Sequence, residues 1–255
     1  MATYNENTAM IVAHEHASVR YSLGDPIYDY FGQTSPFHFG PEAFLGDLGP
    51  NRSTRNHFHP VDSFQLFWGA PGSEFEGRDI PKYLLHYSDA YGVYGGFSTT
   101  DSRIQCFTLR PVPSAFTAYM SDPEQREFVL GRRNYDANIE PLLADALPSD
   151  GKVITHTLMS PERDGLAAYL LTMGPEAEIP AELVSSPDSS GSYVCVLEGE
   201  LEWDGVGYGP RALGWLPPGG KLPALRPSRD AEGPLRVVAM HFPSPLTSAA
   251  GPFGG

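Results

Sequence analysis

Hydrophobic positions in this chain come in short runs, each cut off by Gly, Pro, Asp or Asn. Residues 10–21, MIVAHEHASVRY, alternate well enough to predict a strand. Residues 22–56 read as loop-rich, with Gly24, Pro26, Gly32, Pro36, Gly40, Pro41, Gly46, Gly49 and Pro50 as punctuation. Strand-like runs then follow at close intervals: SFQLFW, YLLHY and RIQCFTLRPV. From about Ser121 the pattern changes. The stretch DPEQREFVLGRRNYDANIEPLLADAL is charged and lacks alternation, so it reads as a connector with a helical turn or two. A second series follows: KVITHTLM, GLAAYLLTM, SYVCVLEGELEWDG, RALGWLPPG and LRVVAMHFP. The tail, SPLTSAAGPFGG, reads as a flexible end. Short strands at this spacing predict an all-β sandwich or barrel, repeated twice: a β-rich half over 1–120, a connector over 121–150 and a second half over 151–255.

Composition sharpens that picture. Gly 27 and Pro 25 in 255 residues suit turns between strands and do not suit long helices. A net charge of −14, with no cluster of Lys and Arg, argues against nucleic acid and against anionic membrane surfaces. No apolar run approaches the ~18 residues of a membrane span. The N-terminus has neither the basic start nor the apolar stretch of a secretory signal. Cys106 and Cys195 both sit in strand-like runs, where a buried free thiol is expected. These features lead to a cytoplasmic expectation.

The chemistry concentrates in residues 57–94. His57-Phe58-His59 places two imidazoles on one face of a strand, about 7 Å apart along it, within reach of one metal ion. His86 lies in the neighbouring run YLLHY. Three neutral imidazoles would leave coordination positions open for water, dioxygen or substrate. Gln65 shares a strand face with Ser63, on the side of the histidines, as a weak ligand or a hydrogen-bonding group. Tyr83, Tyr87, Tyr91 and Tyr94 can line a pocket, and Tyr87 and Tyr91 are the candidate phenolic acids.

The segment resembles the cupins. Their first motif is G-x5-H-x-H-x(3,4)-E-x6-G and their second G-x5-P-x-G-x2-H-x3-N. His57 and His59 match the H-x-H, and Pro81 and His86 match the proline and histidine of the second motif. Ser63 or Phe64 stands where the family's metal-binding Glu falls, Tyr83 replaces the second motif's Gly, and Ala90 its Asn. The resemblance therefore implies a three-histidine metal site without the usual carboxylate. The run GSYVCVLEGELEWDG, and GPRALGWLPPGGKLPAL with Pro217 and Gly219 at P-x-G, resemble the same motifs in the second half. There the histidine position is Leu222 and no H-x-H precedes the hairpin. The implied architecture is two cupin-type jelly-roll β-barrels, a bicupin, whose N-terminal barrel keeps the metal and whose C-terminal barrel serves packing or dimerisation.

Each feature also has a plain structural reading. Three histidines can simply decorate a sheet, and most tyrosines simply pack. His14-Glu15-His16 is a second H-x-H without a third partner, so an edge strand or a supporting role is expected of it. His38, His156 and His241 are isolated and read as structural. Three functions follow: an iron(II) dioxygenase acting on a small organic molecule, favoured by analogy with three-histidine cupins; a non-redox lyase, decarboxylase or isomerase using Zn, Mn or Ni as Lewis acid; or a binding module without catalysis. The expected partners are a small-molecule substrate and, as an open expectation, a second copy of the chain.

Overall fold

A computed structural model of the chain describes residues 8–32, 40–130, 132–186, 188–220, 222–229 and 233–244. His38 and all of the tail but Ser244 lie outside the described residues. The fold is all-β, and the chain divides into two compact units: Ser18–Leu143, and Ala144–Thr247 together with Met1–Ala17.

The first unit is built on a seven-stranded antiparallel sheet. Its order is Asn134–Asn138, Tyr83–Ser88, Ser63–Trp68, Ile104–Arg110, Glu42–Leu48, Asp25–Phe31 and Ser18–Ser22. Alternation decides what faces inward. Phe67, Leu84 and Cys106 share an apolar cluster with Phe75, Ile80, Tyr94 and Ile104, which fixes their face as the interior. One step along, the register aligns His86, Gln65, Thr108 and Phe44. One step further it aligns Ser88 with Ser63 and Arg110 with Glu42. The interior therefore runs from an apolar floor through a polar row to a charged rim.

The second unit has a six-stranded sheet ordered Met10–Val12, Leu213–Leu216, Ser192–Glu198, Leu235–His241, Ala167–Met173 and Val153–Met159. Every residue of Leu235–His241 is buried, as a strand covered on both faces requires. Leu171, Val194, Val196, Leu201, Trp203, Leu216, Leu225, Val237 and Ala239 form one core. Both cysteines are free and buried.

Four expectations are corrected. Residues 10–21 are not one strand. Met10–Val12 pairs with Leu213–Leu216 in the second unit, His14–His16 is a 3-10 turn, and Ser18–Ser22 begins the first unit's sheet. The turn closes through His16 N–H to Ala13 O at 3.0 Å and Ala17 N–H to His14 O at 3.2 Å. Residues 22–56 hold two seven-residue strands rather than loop alone, Asp25–Phe31 and Glu42–Leu48. Pro26 fits near the end of its strand, paired with Tyr21. The connector over 121–150 contains Asn134–Asn138, an edge strand paired with Tyr83–Ser88. Its residues are mostly exposed, so the sequence there carries no apolar alternation. As a result, neither 1–120 nor 151–255 delimits a unit of the structure.

Candidate functional site

The first unit encloses a cavity of about 400 Å³, whose lining includes His57, His59, Gln65, Tyr94, Thr108 and Arg110. His57 and His59 enter from the short strand His57–Phe58 and the residue after it, and their rings meet edge-on with centroids 5.3 Å apart. His86 stands in the sheet in the row of Gln65, fully buried behind the lining rather than part of it. The ring of Tyr94 packs against all three imidazoles, at centroid distances of 4.5 Å from His57, 6.2 Å from His59 and 5.3 Å from His86.

The hydrogen bonds fix which ring nitrogen carries the proton. His57 Nδ1 lies 2.7 Å from Arg55 O. A carbonyl only accepts, so Nδ1 is the donor and Nε2 carries the lone pair of the neutral ring. His59 Nδ1 lies 3.0 Å from Phe116 O and 2.9 Å from Ser114 Oγ. Ser114 already donates to Phe116 O at 2.8 Å, so Nδ1 must again supply the proton. His86 Nδ1 donates to Asp136 Oδ1 at 2.8 Å, and Asp136 is paired in turn with Arg78. All three rings thus use Nδ1 as a donor to an oxygen and keep Nε2 for something else. This is the arrangement that orients imidazoles toward a metal.

The electrostatics agree with neutral rings at His57 and His59. Burial pushes the His57 pKa down. Burial, then the charge of Arg110, pushes His59 down to about 3. Burial alone would raise Asp136, but its bonds to His86 and Arg78 outweigh that and hold it below the usual carboxylate range. Burial raises the Tyr94 phenol to about 12, so it stays protonated.

Among the described residues, three of the buried polar atoms without a hydrogen-bond partner stand around this interior, His86 Nε2, Gln65 Oε1 and Tyr94 Oη; others, such as Trp215 Nε1, lie in the second unit. A buried group without a partner costs about 1–3 kcal/mol, so three around one interior point to a ligand there. The donor set has the chemistry of a divalent transition-metal site, namely imidazole nitrogens with an amide oxygen beside them. Among the described residues, however, no three His, Cys, Asp or Glu side chains are already gathered as a metal-binding group. One contact bears directly on that: Arg110 Nη2 donates to His59 Nε2 at 3.0 Å.

Of the six site residues expected from sequence, four stand around this interior and two do not. Tyr87 neighbours His86 in the strand and therefore points to the opposite face, where its hydroxyl donates to Asp89 Oδ1 at 2.6 Å. Tyr91 packs against Phe58, with centroids 6.3 Å apart, and contributes its backbone N–H to His59 O at 2.7 Å. The tyrosines that line the cavity are Tyr94 and Tyr119, and Tyr94 is the one packed against all three imidazoles. Arg110 and Asp136 were not singled out by spacing. Arg110 had one signal, as the inward-facing cation ending an apolar strand. Asp136 had none, since it sits in the polar edge strand. His14 and His16 lie in the 3-10 turn, with His16 exposed. His156 faces Asp145 at 3.1 Å, and His241 is bonded to Ser192 Oγ at 2.7 Å.

No family model matches the chain, and no curated protein matches it in sequence. Solved structures do match it in shape. A candidate dioxygenase from Nostoc punctiforme aligns with a TM-score of 0.62 at 10% identity, over 95% of this chain and 85% of that one. An oxalate decarboxylase from Lactobacillus farciminis, in its formate complex, aligns at 0.54 and 13% identity, over 95% and 88%. A Bacillus subtilis oxalate decarboxylase, studied for its Mn(II) centres, aligns at 0.53 and 13% identity, over 92% and 77%. At these identities the likeness speaks for architecture, and the chain has the all-β, cupin-type jelly-roll fold.

Proposed function

We propose that this chain is a metal-dependent bicupin enzyme for a small anionic organic substrate, with His57, His59 and His86 as the metal ligands. The observation that carries the reading is the shared tautomer: each ring spends Nδ1 on an oxygen and leaves Nε2 as the nitrogen with the lone pair. When bound, the ion would supply a Lewis-acid centre with open positions and, as iron(II), electron transfer to dioxygen.

The chain's own residues shape the rest. Arg110 and Arg20 line the cavity and favour an anion. Glu42, paired with Arg110, limits the excess charge. Phe44, Phe75, Phe97 and Phe116 give the cavity apolar walls that exclude water. Gln65 offers an unpaired carbonyl oxygen to orient a bound group. Iron(II)-type dioxygenation is the first reaction proposed. Non-redox decarboxylation or isomerisation is the second, favoured by one observation. Tyr94 is a buried phenol held protonated beside the histidines, a proton donor that oxygenation does not require.

The test is reconstitution of the chelator-treated protein with iron(II), manganese(II) or zinc(II), beside the His57→Ala/His86→Ala double variant. About one ion per chain, lost in the variant, is the expected result. Oxygen uptake with iron then selects the dioxygenase. Turnover under argon with manganese or zinc selects the non-redox enzyme. Equal metal content in the two proteins would remove the reading.

A further inference from the structure

Arg110 is an unusual neighbour for a metal ligand. Its side chain is only 6% exposed, on the inward face of the strand Ile104–Arg110. Its Nη1 is bonded to Glu42 Oε2, and its Nε donates to Ser63 Oγ at 3.2 Å. Its Nη2 donates to His59 Nε2 at 3.0 Å. A guanidinium is always protonated and can only donate. The tautomer argument leaves His59 Nε2 with one lone pair, and this bond uses it. A metal ion needs that same lone pair. The two cations would also repel each other across a buried, low-dielectric gap.

We infer that Arg110 competes with the metal for His59 Nε2, so that loading the ion requires the Nη2 arm to leave the imidazole. The inference rests on the three-histidine reading above. The guanidinium has a place to stay when that arm leaves. Glu42 holds Nη1, with its own carboxylate braced by the Ser114 N–H at 3.4 Å, and Ser63 receives Nε. The guanidinium is a rigid plane, so Nη2 leaves by a small tilt of the whole group about the side-chain torsions, with Glu42 and Ser63 following through rotations of their own side chains. The orphaned Nε2 of His86 and the occupied Nε2 of His59 are then two faces of one state, a ligand set held open by an internal cation. Arg110 is accordingly a positioning residue that sets metal affinity.

The inference is tested by titrating the chelator-treated chain with cobalt(II) and following the ion's visible absorption, a readout that needs no turnover. Glu42→Gln and the double variant Glu42→Gln/Arg110→Met are compared, so that no buried carboxylate is left unpaired in the variant that lacks the guanidinium. Competition predicts that the double variant binds cobalt at least about tenfold more tightly than Glu42→Gln alone, an effect on the scale of residues next to metal ligands. Equal or weaker binding in the double variant, with binding still lost in His57→Ala/His86→Ala, overturns the competition and leaves the metal centre standing. No cobalt bound by any of these proteins overturns both. A second measurement needs no variant to fold: crystals of the natural chain grown with cobalt(II). Separation of Arg110 Nη2 from His59 beyond hydrogen-bond reach, with Nε2 on the ion, supports the inference. An ion bound while the Arg110–His59 contact persists overturns it.

Discussion

The two units use one kind of fold to opposite ends. Inside Ser18–Leu143, the row above the apolar floor is His86, Gln65, Thr108 and Phe44, and it opens on a cavity of about 400 Å³. Inside the other unit the comparable space is filled by hydrocarbon. Trp203 lies so close over Gly214 that a β-carbon there would come within 2.4 Å of the indole. Leu222, standing at the motif position of the third histidine, packs against the same core. A jelly roll can therefore be closed by packing alone, and the first unit forgoes part of that packing for polar groups. Three of them have no partner; Trp215 Nε1 in the second unit has none either, so it is the clustering of the three beside one cavity, not the orphaned state itself, that marks a site.

Filling the difference, or emptying it, gives the sharpest tests. Trp203→Ala should open a void in the second unit and destabilise it by about 3–5 kcal/mol. Hydrogen exchange resolved by peptide should show that loss in segments of 153–241, and the emptied core should gain no affinity for metal.

Acid titration comes next. Burial holds His241 down to about 4 against an ordinary 6.5. Its folded pKa lies below its unfolded one, so as pH falls from 6.5 the unfolded chain takes up a proton that the folded chain refuses. Stability should drop across that window by about 3 kcal/mol, complete below about pH 4. His241→Asn should flatten the slope in the second unit. In the first unit His59 acts in the same direction, but Asp62, raised by burial to about 6, opposes it. Asp62 binds its proton more tightly when folded, so its contribution is fully present below its ordinary 3.8 and is lost as pH rises through about 6. Asp62→Asn should therefore steepen the acid slope of the first unit alone. An unchanged slope in either variant would remove the corresponding residue from the linkage.

Asp136→Asn should weaken metal binding by about tenfold to a hundredfold, since it removes the carboxylate that orients His86. Melting temperature should change little, because Asp136 lies on the partly exposed edge strand. Tyr94→Phe deletes a buried hydroxyl without a partner and should leave stability unchanged or raise it, by at most about 1–3 kcal/mol. Its catalytic effect is diagnostic. A fall of about a hundredfold in turnover under argon would identify Tyr94 as the proton donor, whereas undiminished oxygen uptake would assign it to packing.

Much of this was legible in the chain. Short alternating runs fixed an all-β fold, because a half-buried strand must repeat every second residue. His57 and His59 were visible for the same reason, and His86 through its spacing from Pro81. In sequence Tyr87 is one of several tyrosines able to line a pocket, and strand alternation turns it away from His86. The two-residue separation of His57 and His59 described their strand, but not which nitrogen each ring would present.

The sequence by itself determined the strand content, the acidic and helix-poor character, and the histidine pair, since these depend on local periodicity and composition. Only the tertiary structure decided that Asn134–Asn138 is a strand, that Met10–Val12 belongs with the distant sheet, and that Tyr94 stands among the imidazoles. It alone placed Arg110 on His59 and Asp136 on His86, from 51 and 50 residues away. Such pairings come from strand register across a folded sheet, and register is set by the packing of whole faces rather than by any local run of residues.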